Sequence, residues 1–179
     1  TQQKRLVLKA PIHTGFVSEI EAVVPDITFV QTHRDPVEVV GSLASLFHTL
    51  QTAVSNRRDA AELGRLTLDR VRWLADRNLQ ARQRASLDQP STARIIDVQY
   101  SNLINKPVEV VAEIHQQIGL PFTVSHRQKI EEYLLQKPQF QHGRHLYSLE
   151  EFGLDSVQVS QELDNYCAAF LQTGSPAHA

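Results

Sequence analysis

The residues of this chain best suited to chemistry stand in one run, Phe29-Val30-Gln31-Thr32-His33-Arg34-Asp35-Pro36-Val37-Glu38-Val39-Val40-Gly41-Ser42. It reads as an apolar strand feeding a helix whose entrance carries an arginine, a junction able to hold an anion. Asp35 suits the N-cap and Pro36 the first turn, while Glu38, three residues after the cap, completes a capping-box pattern, so the switch from strand to helix is specified locally. A helix start presents unpaired N–H groups and a partial positive charge. The Arg34 guanidinium adds a planar fork of donors that matches phosphate oxygens. Ser42 lies two turns on, roughly 10 Å along the axis at about 1.5 Å per residue, within reach of an arginine folded back over the helix. The competing reading of Arg34 is an ion pair with Asp35 or another neighbouring acid, common for arginines beside helix starts.

The elements that must position this run follow from periodicity. Leu6-Val7-Leu8 predicts a short buried strand, followed by a helix from about Gly15 to Val24, a strand from Ile27 to Thr32 and a helix from Pro36 to about Leu50. Val39, Val40, Leu43, Leu46, Phe47 and Leu50 recur at helical spacing as the expected core face of that second helix. A long helical stretch from about Arg58 to Leu87 precedes a third strand, Arg94-Ile95-Ile96-Asp97-Val98. Asn105 and Pro107 open a helix ending near Gly119. Ser125 with Gln128 predicts a capping box for a helix ending near Gln136, and Gln161 to Leu171 a final helical segment. Alternating strand and helix implies an α/β fold with a parallel sheet, one domain over 1–172 and a small, polar, disordered tail over 173–179. Parallel strands buried on both faces place ligands at their carboxyl ends. His13 follows the first strand, Arg34 the second and Tyr100 the third, so topology alone gathers them on one edge of the sheet.

Composition narrows the classes. Of 179 residues, 41% are apolar and 21% charged, ordinary for a globular chain, and a net charge of −2 argues against a nucleic-acid binder. No run approaches the roughly 18 apolar residues needed to span a membrane. The single Cys167 excludes an internal disulfide and sits in an apolar helical pattern, as a packed thiol does. His142 and His145 stand three apart without a third ligand at suitable spacing, so no metal site is expected. Glu150 and Glu151 resemble a carboxylate pair, yet Ser148 with Glu151 forms a capping box, the plainer reading. From Arg57 to Arg84 eight arginines face four acids, a solvated helix face with pairs such as Glu62 with Arg65, or a surface that attracts anions.

The chain also resembles a family. An arginine closing a strand, then a serine eight positions later in the next helix, resembles the 3′-phosphate-binding segment of sulfotransferases that use 3′-phosphoadenosine 5′-phosphosulfate (PAPS). Thr32-His33-Arg34-Asp35-Pro36 resembles the large, mostly bacterial branch of that family. Leu8-Lys9-Ala10-Pro11-Ile12-His13 upstream, and Val98 to Leu103 and His145 to Leu154 downstream, extend the resemblance in the family's order from about Leu6 to Phe170.

The resemblance implies a P-loop-like parallel sheet flanked by helices, helix-rich in its carboxy-terminal half. It implies PAPS as co-substrate without a metal, and an acceptor hydroxyl or amine on a small molecule, glycan or peptide. Arg34 and Ser42 would hold the 3′-phosphate, Tyr100 would lie near the adenine unless it is simply core, and Arg144, within Gln141-His142-Gly143-Arg144-His145, would belong to a loop closing over the 3′-phosphate. Sulfuryl transfer needs a base for the acceptor proton and a cation for the developing charge. Cytosolic relatives carry a lysine and a catalytic histidine two residues apart where this chain has Lys9 and His13, four apart, and the resemblance offers these two for the roles. The glycine- and serine- or threonine-rich loop that holds the 5′-phosphosulfate has no counterpart here, nor is there a Walker pattern or a methionine. The expectation is the carboxy-terminal part of a larger, cytoplasmic enzyme. The alternatives are a non-catalytic interaction module and a P-loop nucleotide kinase-like enzyme.

Overall fold

Two strands organise the chain. β1 (Thr28–His33) and β2 (Arg94–Gln99) pair in parallel, with Thr28 opposite Arg94, Gln31 opposite Asp97 and His33 opposite Gln99. The structure is a computed structural model that describes residues 5–54, 59–87, 93–137 and 148–171, with the side chains of 85–87 left aside. The helices are α1 (Val17–Val23), α2 (Pro36–Val54), α3 (Ala60–Leu87), α4 (Tyr100–Asn105), α5 (Pro107–Gln117), α6 (Val124–Gln136), α7 (Ser156–Glu162) and α8 (Asp164–Phe170), with a 3₁₀ turn, Pro11–Phe16, ahead of α1. α2 and α3 make the crossover that a parallel pair requires, so the expected α/β class with a helix-rich second half is the one observed.

Because side chains alternate along a strand and paired residues share a face, the sheet has two different sides. Val30, Thr32, Ile96 and Val98 lie on one. There Ile96 and Val98 are buried with Val110 of α5, backed by Leu103, Ile114 and Ile118, while Val30 on β1 stays 48% exposed. The expected burial of both faces therefore fails: β2 is fully buried only on the Ile96 and Val98 side, and β1 keeps Val30 exposed because α4 and α5 pack on β2. Gln31, His33, Asp97 and Gln99 lie on the other side.

The larger core joins Val40 of α2, Leu68 and Ala75 of α3, and Leu154, Val159 and Leu163. It corrects the expected stripe on α2: the buried positions are Pro36, Val40, Gly41 and Ala44, whereas Leu46 and Leu50 are exposed. Small residues take the buried positions of a helix that packs against both α3 and α7. Close approach explains Gly64, where an added Cβ would overlap the Phe152 carbonyl oxygen.

Other expectations change with context. Leu6, Val7 and Leu8 form no strand and are exposed, since an apolar run becomes a strand only when a neighbour takes its N–H and C=O groups. The α6 cap is Thr123 with His126, each side chain bonding the other's amide at 3.3 Å, because the helix starts two residues before Ser125 could cap it. Asp59 caps α3 through the Glu62 N–H at 2.8 Å, and Arg65 pairs with Asp69 at 3.3 Å rather than with Glu62. The final helical segment begins earlier than expected: Asp155 caps α7 through the Gln158 N–H at 2.8 Å, and α8 follows. Ser148 Oγ accepts from the Glu151 N–H at 3.3 Å, half of the expected box. Burial pushes the half-buried Cys167 thiol pKa up, in keeping with a packed thiol. The tail over 173–179 and the His142–His145 pair lie outside the described residues. No helix among those described is long and apolar enough to cross a membrane.

Candidate functional site

At the carboxyl ends of the strands, the register decides what meets. His33 pairs with Gln99, so Arg34 and Tyr100 are the residues that follow each strand, and the Arg34 guanidinium lies 4.7 Å from the Tyr100 ring centroid. Tyr100 follows β2 directly and opens α4. Asp35 Oδ1 accepts the Val37 N–H at 2.8 Å, the cap the sequence predicts. Glu38 does something else: its carboxylate accepts from Arg34 Nε at 2.5 Å, an i,i+4 pair whose side chains are 37% and 54% exposed. A charged guanidinium outcompetes a neutral cap amide for that carboxylate. The neighbouring-acid reading of Arg34 is thus realised, with the guanidinium held at the mouth of α2. Ser42 is exposed on α2 beside the buried Gly41.

The other candidates are not brought to this pair by any described contact. Lys9 is exposed in an irregular segment, and His13 is half-buried in the 3₁₀ turn, its N–H bonded to the Ala10 carbonyl at 3.1 Å. Without a strand at 6–8, this turn is tied instead to α3. Arg77 Nε donates to the Gly15 carbonyl at 2.6 Å and its guanidinium pairs with Glu19, while Asn78 Nδ2 donates to the Thr14 carbonyl at 3.0 Å. Arg144 and its loop lie outside the described residues.

Behind Arg34 the polar face of the sheet carries a network that the sequence reading missed. His33 is 1% exposed, with Nε2 at 2.7 Å from Asp97 Oδ1 and Nδ1 at 3.1 Å from the Tyr166 hydroxyl. Arg82 of α3 forks onto Asp97 with bonds of 2.9 and 2.6 Å, and also reaches Gln31 Oε1 at 2.8 Å and Asn78 Oδ1 at 3.1 Å. Asn78 and Gln31 complete the set at 3.1 and 3.3 Å. Phe170 roofs it, stacked on His33 with centroids 4.4 Å apart and lying 4.6 Å under the Arg82 guanidinium, while its carbonyl accepts from Gln99 Nε2 at 2.7 Å.

The protonation states follow from this geometry. Burial lowers the His33 pKa; the Asp97 carboxylate pulls the other way, but Arg82 already neutralises that carboxylate and adds to the lowering. The ring is therefore neutral, its Nε2–H donating to Asp97 and its Nδ1 accepting from Tyr166. Burial would raise the Asp97 pKa, yet the bonds from Arg82 and His33 win and hold it below the usual carboxylate value. Burial pushes Tyr166 up to about 12, so its hydroxyl keeps the proton it donates.

A signal for this network was present in the sequence. Gln31, His33, Asp97 and Gln99 are polar residues at alternate positions of two strands, and Asn78 and Arg82 stand four apart on one helix. Polar groups recurring on a strand face that must be covered call for partners.

With this geometry established, similarity to known proteins supplies the class. The model of the sulfotransferase family matches residues 1–124, and the chain belongs to that family. Its structure resembles the crystal structure of sulfotransferase STF9 from Mycobacterium avium, with a TM-score of 0.79 and 28% identity over 92% of this chain and 41% of that one. It also resembles sulfotransferase STF1 from Mycobacterium tuberculosis H37Rv, with a TM-score of 0.72 and 29% identity over 90% of this chain and 40% of that one. This chain thus spans about two-fifths of the length of these relatives. No functionally curated protein matches it.

Proposed function

We propose that this chain supplies the 3′-phosphate side of the donor site of a PAPS-dependent sulfotransferase. The observation that carries the reading is Arg34, held at a capped helix entrance over the Tyr100 ring within the span that matches the family. In the reaction, an acceptor hydroxyl or amine forms a bond to sulfur as the bond from sulfur to the 5′-phosphate oxygen breaks. The acceptor proton passes to a base, and adenosine 3′,5′-bisphosphate leaves. Arg34 and Ser42 bind the 3′-phosphate, with Tyr100 in the same pocket. His13 as base, Lys9 as cation and Arg144 as a closing residue rest on the family resemblance alone. The acceptor is a small molecule, glycan or peptide.

The Glu38 pair does not oppose this reading. Exposed i,i+4 ion pairs contribute about 0.3–0.5 kcal/mol, while a hydrogen bond to a charged group contributes about 1.5–3 kcal/mol. A phosphate that engages the guanidinium fork can therefore displace or share it.

The test is titration of the folded chain with adenosine 3′,5′-bisphosphate and with adenosine 5′-monophosphate, followed by calorimetry, in the native chain and in Arg34→Ala. A preference for the bisphosphate that disappears in the variant is the expected result. Equal binding, or none, overturns the donor-site reading in favour of a non-catalytic interaction module.

A further inference from the structure

The carboxyl ends of both strands are tied to one short helix far away in sequence. Phe170 of α8 stacks on His33 and its carbonyl receives the Gln99 amide, so α8 grips both members of the last register pair. Tyr166, one turn earlier on α8, meets His33 Nδ1 at 3.1 Å, and its hydroxyl is faced by the Arg34 backbone amide. The next residue on each strand is Arg34 or Tyr100. Whatever fixes His33 and Gln99 fixes where those two side chains start.

We propose that Tyr166 is a positioning residue for Arg34: with Phe170 it makes α8 a clamp that holds the strand ends and the start of α2, and so aims the guanidinium at its anion. The proposal rests on the donor-site reading. The clamp is anchored, because His33 is itself held from behind by Asp97, which Arg82 holds in turn. The Tyr166 hydroxyl thus ends a chain of hydrogen bonds that begins on α3 and crosses the sheet. Removing it leaves the ring packed in the core and unties the junction alone.

Tyr166→Phe tests this in the native chain. After circular dichroism confirms the fold, adenosine 3′,5′-bisphosphate should bind about five- to tenfold more weakly, with adenosine 5′-monophosphate unchanged. Because the hydroxyl acts through Arg34, the double variant Arg34→Ala with Tyr166→Phe should bind no more weakly than Arg34→Ala. An unchanged bisphosphate preference, or a Tyr166→Phe loss that adds in full to that of Arg34→Ala, overturns the proposal. If the native chain does not prefer the bisphosphate, the donor-site reading fails by itself and a ligand-free signal decides this one. An Arg34 Nε–H resonance that shifts and exchanges faster with solvent in Tyr166→Phe supports the clamp, and an unchanged one overturns it. If Tyr166→Phe does not fold, Gln99→Leu, which cuts the hydrogen bond from β2 to the Phe170 carbonyl of the same clamp, is judged by the same two readouts.

Discussion

His33 and Arg34 are adjacent in sequence and opposite in physical setting. The Arg34 side chain is more than a third exposed, and its described contacts include the Tyr100 ring and the Glu38 carboxylate four residues away. His33 is almost fully buried, and its neighbours come from β2, α3 and α8. The alternation of a strand sends the two side chains to different environments, and their chemistry follows. A half-exposed guanidinium with an exchangeable partner can take a ligand. A buried imidazole with both nitrogens engaged in a saturated network serves to hold other groups in place. The contrast separates what binds from what aims.

The sharpest way to break the buried half is Asp97→Ala, which leaves Arg82 and His33 without their shared acceptor. Leaving a buried donor unpaired costs about 1–3 kcal/mol; because the Asp97 side chain is itself 41% exposed and Arg82 keeps Gln31 and Asn78 as acceptors, a loss of about 2 kcal/mol in chemical denaturation is expected. A loss under about 0.5 kcal/mol would show that water replaces the carboxylate at no cost. The exposed half should behave in the reverse way. Arg34→Ala should weaken adenosine 3′,5′-bisphosphate at least tenfold by calorimetry, equivalent to about 1.4 kcal/mol, while changing stability by less than about 0.5 kcal/mol.

pH separates the halves further. The His33 pKa is lowered on folding, so the unfolded chain binds more protons between the two values. Its contribution to stability is full above an unfolded pKa of about 6.5 and is lost as pH falls through the folded value. Asp97 also has a lowered pKa, and its contribution disappears only further down, below an unfolded value of about 3.9. Among the described residues, the titratable and charged groups facing His33 are Asp97 on β2, Arg82 on α3 and Tyr166 on α8. Melting temperatures measured from pH 8 to pH 5 should fall in the native chain and fall less in His33→Gln. Equal slopes would mean that the ring is not held neutral. The smallest expected effect is Glu38→Gln, which removes the carboxylate that competes for Arg34. Bisphosphate affinity should rise two- to threefold, about 0.4–0.7 kcal/mol, with the melting temperature unchanged; a fall would show that Glu38 orients the guanidinium instead.

Legibility in the sequence followed the range of the interaction. The β1-to-α2 junction was readable because its determinants lie within a few residues: an apolar run, then Asp35 and Pro36, with the cap bond found where expected. The meeting of Arg34 and Tyr100 followed from parallel topology and register. The role of Glu38 was misread, because spacing alone does not say whether a carboxylate turns to an amide or to a guanidinium. Leu6-Val7-Leu8 has the hydrophobicity of a strand, which is a local property, but lacks the neighbour that pairing needs. The network is hard to read because, apart from Asn78 with Arg82, its hydrogen-bonded partners are 15 to 133 residues apart, a separation that carries no periodic signal.

By itself, then, the sequence determined the alternation of strand and helix, the capped entrance of α2 with an arginine at its mouth, and a family resemblance that the family match over residues 1–124 supports. Caps, turns and periodicity act over one or two turns of chain, so their physics is complete in a short window. The fold settles what the sequence leaves open: that the polar face of β1 is the covered one, that His33 is neutral and locked, and that α8 closes over the strand ends. Those outcomes depend on desolvation and on partners brought from distant elements, and neither exists until the chain has folded.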